Sequence, residues 1–252
     1  MAGGMRRILS AAAFLAVIMC AGPAIAQDRQ WTERIWIGVS GGVQGAGTGF
    51  GDTFEAPLYA ETEHVTVDYP IDSGPVFDAR GGYRVWKQLT AGVGVTRYSQ
   101  RTDARVEARL PHPFFDDQFR AIAGTTSTVR GETAVHVLLG WMLPLSDRMR
   151  LTLTAGPSFV TVEQTLVNAV EFSEAYPYDT AEFTGASTRR PSRSATGFNA
   201  GADVSWMFTR RVGAGALVQT SRARVRVSPA EGRSLTVDAG GFQIAAGLRA
   251  FF

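Results

Sequence analysis

Apolar residues recur at every second position in eight separate blocks of the chain. In the first block Trp31, Ile35, Ile37, Val39 and Val43 share one face, opposed by Trp36, Gly38, Ser40, Gly42 and Gln44. Phe77, Ala79, Tyr83 and Val85 oppose Asp78, Arg80, Gly82 and Arg84, and Leu89, Ala91, Val93 and Val95 oppose Thr90, Gly92, Gly94 and Thr96. Val135, Val137, Leu139 and Trp141 oppose Glu132, Ala134, His136 and Gly140, and Leu151, Leu153, Ala155 and Phe159 oppose Thr152, Thr154, Gly156 and Ser158. Then Phe198, Ala200, Ala202, Val204, Trp206 and Phe208 oppose Asn199, Gly201, Asp203 and Ser205, and a weaker block runs from Val212 to Gln219. The last sets Phe242, Ile244, Ala246, Leu248, Ala250 and Phe252 against Gln243, Ala245, Gly247, Arg249 and Phe251. A period of two is that of strands with two unlike faces.

Strand length and connection length then choose the architecture. Ten residue steps of a strand tilted by about 40° span about 25 Å, the height of the lipid-facing band of a membrane barrel. Short links fall around Lys87 and Gln88, at residues 144–149 and at residues 209–211. Longer connections alternate with them, at about residues 45–75, 99–130, 163–195 and 226–233, the last with Pro229 and Gly232 as turn signals. Short turns on one side and long loops on the other characterise outer-membrane barrels. The aromatics agree: Trp31, Tyr83, Trp141, Trp206, Phe208 and Phe252 carry the apolar parity at the short-turn ends, and Phe77, Phe159, Phe198 and Phe242 carry it at the long-loop ends. Such sorting predicts two interfacial girdles. The expected fold is all-β, an eight-stranded antiparallel up-and-down transmembrane β-barrel, with both termini on the inner side. A ten-stranded barrel would recruit His64 to Ile71 and Ala104 to Leu110; charge on or near their would-be lipid face favours strand extensions or hairpins above the membrane.

The start of the chain reads as a removable secretion signal, residues 1–26. Arg6 and Arg7 precede the apolar run from Ile8 to Cys20, and Ala24, Ile25 and Ala26 supply a small-residue cleavage site before Gln27. Residues 27–252 are then the barrel domain. Removing the signal takes away the single cysteine, so disulfides, a thiol nucleophile and thiolate metal sites are not expected. It also lowers the formal charge from +2 to about zero, without a nucleic-acid footprint. Lys87 is the only lysine.

The alternating strands, Gly81-Gly82-Tyr83-Arg84 before a short turn, Gly156-Pro157-Ser158-Phe159 facing a long loop, and Gly240-Gly241-Phe242 through Phe252 resemble the small outer-membrane β-barrel superfamily, the group of OmpA-type and OmpX-type transmembrane barrels. The resemblance covers essentially the whole mature chain and implies insertion into a bacterial outer membrane. The last strand also resembles the terminal targeting signal read by the barrel-assembly machinery, with Phe242, Ile244, Leu248 and Phe252 as its apolar face. OmpA-type proteins carry a peptidoglycan-binding domain after the barrel, and none follows Phe252, so cell-wall tethering is not expected.

The chemistry that remains is mostly charge inside the barrel. Asp78, Arg80, Arg84, Glu132, His136, Asp203 and Arg249 all carry interior parity. An eight-stranded barrel is just wide enough for side chains to fill it. Arg80, Arg84 and Arg249 are therefore expected to pair with Glu132 and Asp203 as a plug, because an unpartnered charge in such a space is costly. His136 lies mid-strand, away from the rim where a lipid-modifying enzyme would need it. The Gly38-Val39-Ser40-Gly41-Gly42 match lacks the strand-to-helix elbow of a serine hydrolase. No catalytic set, metal site or cofactor is expected. The acidic first loop (Asp52, Glu55, Glu61, Glu63, Asp68, Asp72) reads mainly as solvated, with divalent cations bridging it to lipopolysaccharide as the other reading. The tip from Leu110 to Phe115, Tyr176-Pro177-Tyr178-Asp179 and the arginines Arg189, Arg190, Arg193, Arg222, Arg224 and Arg226 are candidate contacts for an extracellular ligand or lipid phosphates. The expected function is structural or surface-interactive, as a monomer among outer-membrane lipids and lipopolysaccharide. A narrow porin or hydrophobic-ligand channel of the OmpW type is the alternative, and a lipid-modifying enzyme is a third.

Overall fold

The computed structural model describes residues 33–228 and 233–252. Trp31, the secretion signal and the turn residues Pro229 and Gly232 lie outside the described residues. The strands are β1 (Ile35–Gln44), β2 (Phe50–Leu58), β3 (Glu61–Tyr69), β4 (Gly74–Trp86), β5 (Leu89–Pro111), β6 (Phe119–Pro144), β7 (Met149–Gln164), β8 (Leu166–Glu174), β9 (Ala181–Arg189), β10 (Ser192–Met207), β11 (Val212–Val227), β12 (Leu235–Ala239) and β13 (Phe242–Phe251).

Eight of them close on themselves. β1 pairs with β4, then β4 with β5, β5 with β6, β6 with β7, β7 with β10, β10 with β11 and β11 with β13, and β13 returns to β1 with Val39 opposite Leu248. Every pairing is antiparallel, so the ring is an up-and-down barrel of eight strands and not ten. Its outer face from Ile37 and Val39 through Val93, Val95, Leu139, Ile244 and Leu248 is apolar and exposed, while Ser40, Asp78, Thr96, His136, Asn199, Asp203 and Arg249 are buried inside. A soluble protein would place these two sets the other way round. The exterior band can be satisfied only by lipid, and ring closure leaves no backbone edge in it. No described helix is long and apolar enough to cross a membrane; the crossing elements are strands.

The polarity inverts along the same strands. On β5 the outward residues change from Val93 and Val95 to Arg97, Arg101, Arg105 and Arg109, and the inward ones from Thr90 and Thr96 to Ala104, Val106, Ala108 and Leu110. On β11 the outward row changes from Val218 to Arg222, Arg224 and Arg226, over inward Ala223, Val225 and Val227. Above the inversion the barrel is an ordinary water-soluble sheet closed over an apolar core. The segments expected as long connecting loops are therefore largely strand. The reason is solvent: once the outward face leaves lipid, charge belongs on it and aliphatic side chains belong inside.

Three insertions complete this cap. β2 and β3 form a hairpin, and β3 takes over from β4 as the neighbour of β5, with Val67 opposite Val106. β12 takes over from β13 beside β11, with Val225 opposite Val237. The β8–β9 hairpin contributes Leu166 and Val167 to the shared core, and the Tyr69 hydroxyl accepts a hydrogen bond from the Val167 N–H at 2.8 Å. Phe183 of β9 lies where a Cβ on Gly124 of β6 would stand, so that glycine admits the hairpin into the cap.

Candidate functional site

The lumen and the cap are the two places where polar chemistry is concentrated. Inside the membrane band Arg80 grips Asp78 with two hydrogen bonds of 2.7 Å and donates to the Gln219 side-chain oxygen at 2.6 Å. That leaves the Gln219 amide nitrogen facing His136 Nε2 at 3.3 Å, beside the Thr96 hydroxyl at 3.0 Å. Both can donate to Nε2, so the proton of His136 belongs on Nδ1, directed at Ser158 Oγ 2.7 Å away. Asn199 donates to the same oxygen at 2.9 Å. Ser158 thus accepts from His136, the reverse of what an activated serine nucleophile requires. Both residues are fully buried.

Nearer the inner end Arg249 donates to Asp203 at 2.9 Å and to Ser40 at 2.8 Å, lying over Gly38 and Gly215, where a Cβ would meet its side chain at 2.9 Å. The void beside it, lined by Trp36, Arg80, Asp203, Arg249 and Phe251, is about 10 Å³, the space of one water. At the top of the lumen Arg130 pairs with Glu132 at 2.6 Å and donates to the Asp238 carbonyl at 2.6 Å.

These contacts redraw the expected network. Arg80 partners Asp78 and not Glu132; Glu132 is held by Arg130, which lies within β6 and not in a connecting loop. Asp203 and Arg249 do meet. Arg84 is half-buried near the short turns, where its charge is felt by Arg150. Gln219, Ser158 and Asn199 were missed because neutral side chains of interior parity carry no charge signal. The aromatic residues Tyr83, Trp141, Trp206, Phe208 and Phe252, and at the other end Phe77, Phe159, Phe198 and Phe242, are all exposed on the outside. Ile244 and Leu248 join Phe242 on the outer face of β13.

In the cap the acidic first segment is not uniformly solvated. Asp52 and Glu63 are buried; Asp52 is paired with Arg233, whose guanidinium lies 4.1 Å from the Phe54 ring. Glu55 meets His64 at 3.0 Å on the surface. Burial raises the Asp52 carboxyl above its ordinary range despite the opposing Arg233 charge, burial raises Glu63, and burial pushes the Tyr69 hydroxyl up to about 12.

Three hairpin tips meet at the far end. Arg120 of β6 pairs with Glu174 at the end of β8 and donates to the carbonyls of Pro111 at 2.7 Å and Tyr178 at 3.1 Å, while Tyr59 of the β2–β3 turn donates to Glu174. Burial acts to raise the Glu174 carboxyl, but hydrogen bonds from Tyr59 and Arg120 outweigh it and hold it below its ordinary value. Leu110 and His112 are buried under this clip, and the rings of Phe114, Phe115 and Tyr176 project from it. The expected apolar tip thus divides into a seated half and an exposed half. Arg190 of the third segment pairs with Glu163 at 3.0 Å. Among the described residues no group of three or more His, Cys, Asp or Glu side chains is placed to hold a metal ion.

No protein-family model matches the chain, and no curated protein matches it. Similar solved structures are outer-membrane barrels at low identity. Neisserial surface protein A is 12% identical, with 87% of this chain and 97% of that one covered, at a TM-score of 0.44. OprG of Pseudomonas aeruginosa is 10% identical, with 87% and 96% covered, at a TM-score of 0.44. The outer membrane protease OmpT of Escherichia coli is 8% identical, with 87% and 97% covered, at a TM-score of 0.46.

Proposed function

We propose that this protein is a closed-lumen barrel of the bacterial outer membrane with a structural and surface-interaction role, its working surface being the cap and not the pore. The observation that carries this reading is the stacking of two side-chain-filled layers along one axis. A lumen filled by hydrogen-bonded charge lies below an apolar core built from Val65, Val67, Val106, Leu110, Val160, Val162, Val225 and Val237. A solute would have to cross both. The role is not enzymatic: His136 and Ser158 are buried and arranged for structure. The outer tip offers Phe114, Phe115 and Tyr176 beside Asp116, Asp117 and Asp179 as a surface for an extracellular ligand. Membrane lipids, lipopolysaccharide and, during insertion, the barrel-assembly machinery are its further partners, the last through Phe242, Ile244, Leu248 and Phe252; the chain works as a monomer.

The test is solute uptake by liposomes carrying the refolded protein. The native barrel is expected to give no swelling with small sugars and no steady conductance. Swelling comparable to that of an open porin overturns the closed-lumen reading and puts a transport role in its place.

A further inference from the structure

The exchange of β4 for β3 beside β5 leaves a notch in the barrel wall. The β4 pairing ends with Val76 opposite Tyr98, and the β3 pairing begins with Asp68 opposite Arg105. Between them the edge of β5 carries no strand pairing on that side among the described residues, the end of β4 at Gly74 lying against Ser99 and Gln100. A groove of about 410 Å³ occupies this place, lined by Ser73, Gly74, Pro75, Ser99, Gln100, Arg101 and Val129. Its volume lies within the range of small-ligand sites.

Three observations say what fits there. The first is depth. Phe77 of the outer girdle stands opposite Arg97 on β5, so the notch begins just above the girdle, at the level of lipid headgroups. The second is donor chemistry. Gln100, buried at 7% exposure, closes the inner side of the groove, its side-chain oxygen accepting from the Tyr98 hydroxyl at 2.9 Å. Arg101 is exposed on the same rim, with Ser73 and Ser99 hydroxyls beside it. The third is local charge. Asp72, next to Ser73, is engaged by Thr102 at 3.2 Å, and Asp103 lies two residues beyond Arg101 on the outward row, between it and Arg105. Higher on β5, Arg105 stands opposite Asp68 and the Arg109 guanidinium lies 5.1 Å from the Phe119 ring, so those arginines have local partners. Arg97 donates to the Thr133 hydroxyl at 3.0 Å, a neutral partner that leaves its charge uncompensated.

The geometry points to a binding site in this notch for the phosphate-bearing headgroup of an outer-leaflet lipid, with Arg97 and Arg101 on the phosphate. The acyl chains would run down the apolar wall beside Phe77 and Val95. An anion above an aromatic girdle matches the donors; a hydrophobic guest would leave both guanidiniums unmatched. This site goes beyond the general lipid contact of the proposed function and stands whether or not the lumen conducts.

The test is native mass spectrometry of the full barrel in a maltoside detergent. The probes are bisphosphorylated lipid A, the same lipid without its phosphates, and inorganic phosphate. The native protein is expected to retain one phosphorylated lipid, release the dephosphorylated one and ignore inorganic phosphate. Arg97→Gln with Arg101→Gln should weaken retention by about thirtyfold, at the affinity per arginine usual near an anionic surface. Ser99→Trp keeps the charge and fills the groove, and should weaken retention comparably. Arg222→Gln with Arg224→Gln, an equal change of charge on the opposite wall, should change it by less than about threefold. A heat-shift gel establishes that each variant is folded. Retention unchanged in both notch variants, equal loss in the Arg222 and Arg224 variant, or equal binding of the dephosphorylated lipid overturns the assignment.

Discussion

Glu132 on β6 accepts a hydrogen bond from the backbone N–H of Gly240 at 2.8 Å, reaching across the top of the lumen to the junction of β12 and β13. Its partner Arg130 bonds the Asp238 carbonyl two residues earlier. This ion pair ties one wall to the other where the polar lumen gives way to the apolar cap. Gly240 has a φ of 84°, and a Cβ there would collide with Ser221. Replacing Arg130 by Ala leaves Glu132 buried without its counter-charge and is expected to cost about 3 to 5 kcal/mol. Urea unfolding of liposome-inserted protein measures it, and a loss under about 1 kcal/mol would mean that the pair is solvated.

The inversion of polarity along β5 and β6 can be read by moving one charge. Val93 faces outward within the lipid band and Thr125 faces outward above it. An arginine at Val93 should destabilise the barrel by about 2 to 4 kcal/mol, whereas one at Thr125 should fall within about 0.5 kcal/mol of native. Equal effects would place the membrane boundary elsewhere.

Acid should tighten the cap before it loosens it. Burial raises Asp52 and Glu63 above their ordinary values of 3.8 and 4.5. A carboxyl raised by folding contributes stability that is complete below its ordinary value and is lost as pH rises through the raised one. Glu174 is shifted down, so its contribution is lost as pH falls through a value below 4.5. Resistance of the cap to proteolysis should therefore increase as pH is lowered from 7 toward about 4.5 and decline further down. Asp52→Asn with Glu63→Gln should flatten the upper limb; an unchanged profile in that variant would assign the effect to other groups.

The Arg120 clip should hold the tips without holding the barrel. Arg120→Met removes the partner of Glu174 and of two carbonyls, and is expected to speed chymotryptic cleavage at Phe114, Phe115 or Tyr176 by about tenfold or more. The heat-shift temperature of the barrel should stay within a few degrees. Simultaneous collapse of both would show that cap and barrel unfold as one unit.

Much of this was legible in the sequence because a strand with two unlike faces betrays its solvent. Val93 and Val95 beside Gly94 and Thr96 sufficed for the lipid wall, and the sorted aromatics for its limits. The same rule read above the membrane gives the opposite polarity: Ala104, Val106 and Ala108 look wrong only while the outward face is assumed to be in lipid. Partner choice was not legible. Arg80 and Asp78 sit two apart on one strand, so their contact depends on which way each side chain turns inside the barrel. Arg130 is brought to Glu132 only because β6 continues unbroken through the boundary. The notch at Gln100 exists because two strands trade places, an event that no periodicity marks.

The seam between Ile35–Gln44 and Phe242–Phe251 joins the two ends of the described sheet. Until it forms, both strands carry open edges able to pair with other chains, and closing it brings together residues separated by nearly the whole fold, the slowest kind of contact to make. Vulnerability in this protein is therefore a matter of timing: a defect in β13 leaves the other barrel strands paired but the edges of β1 and β11 open.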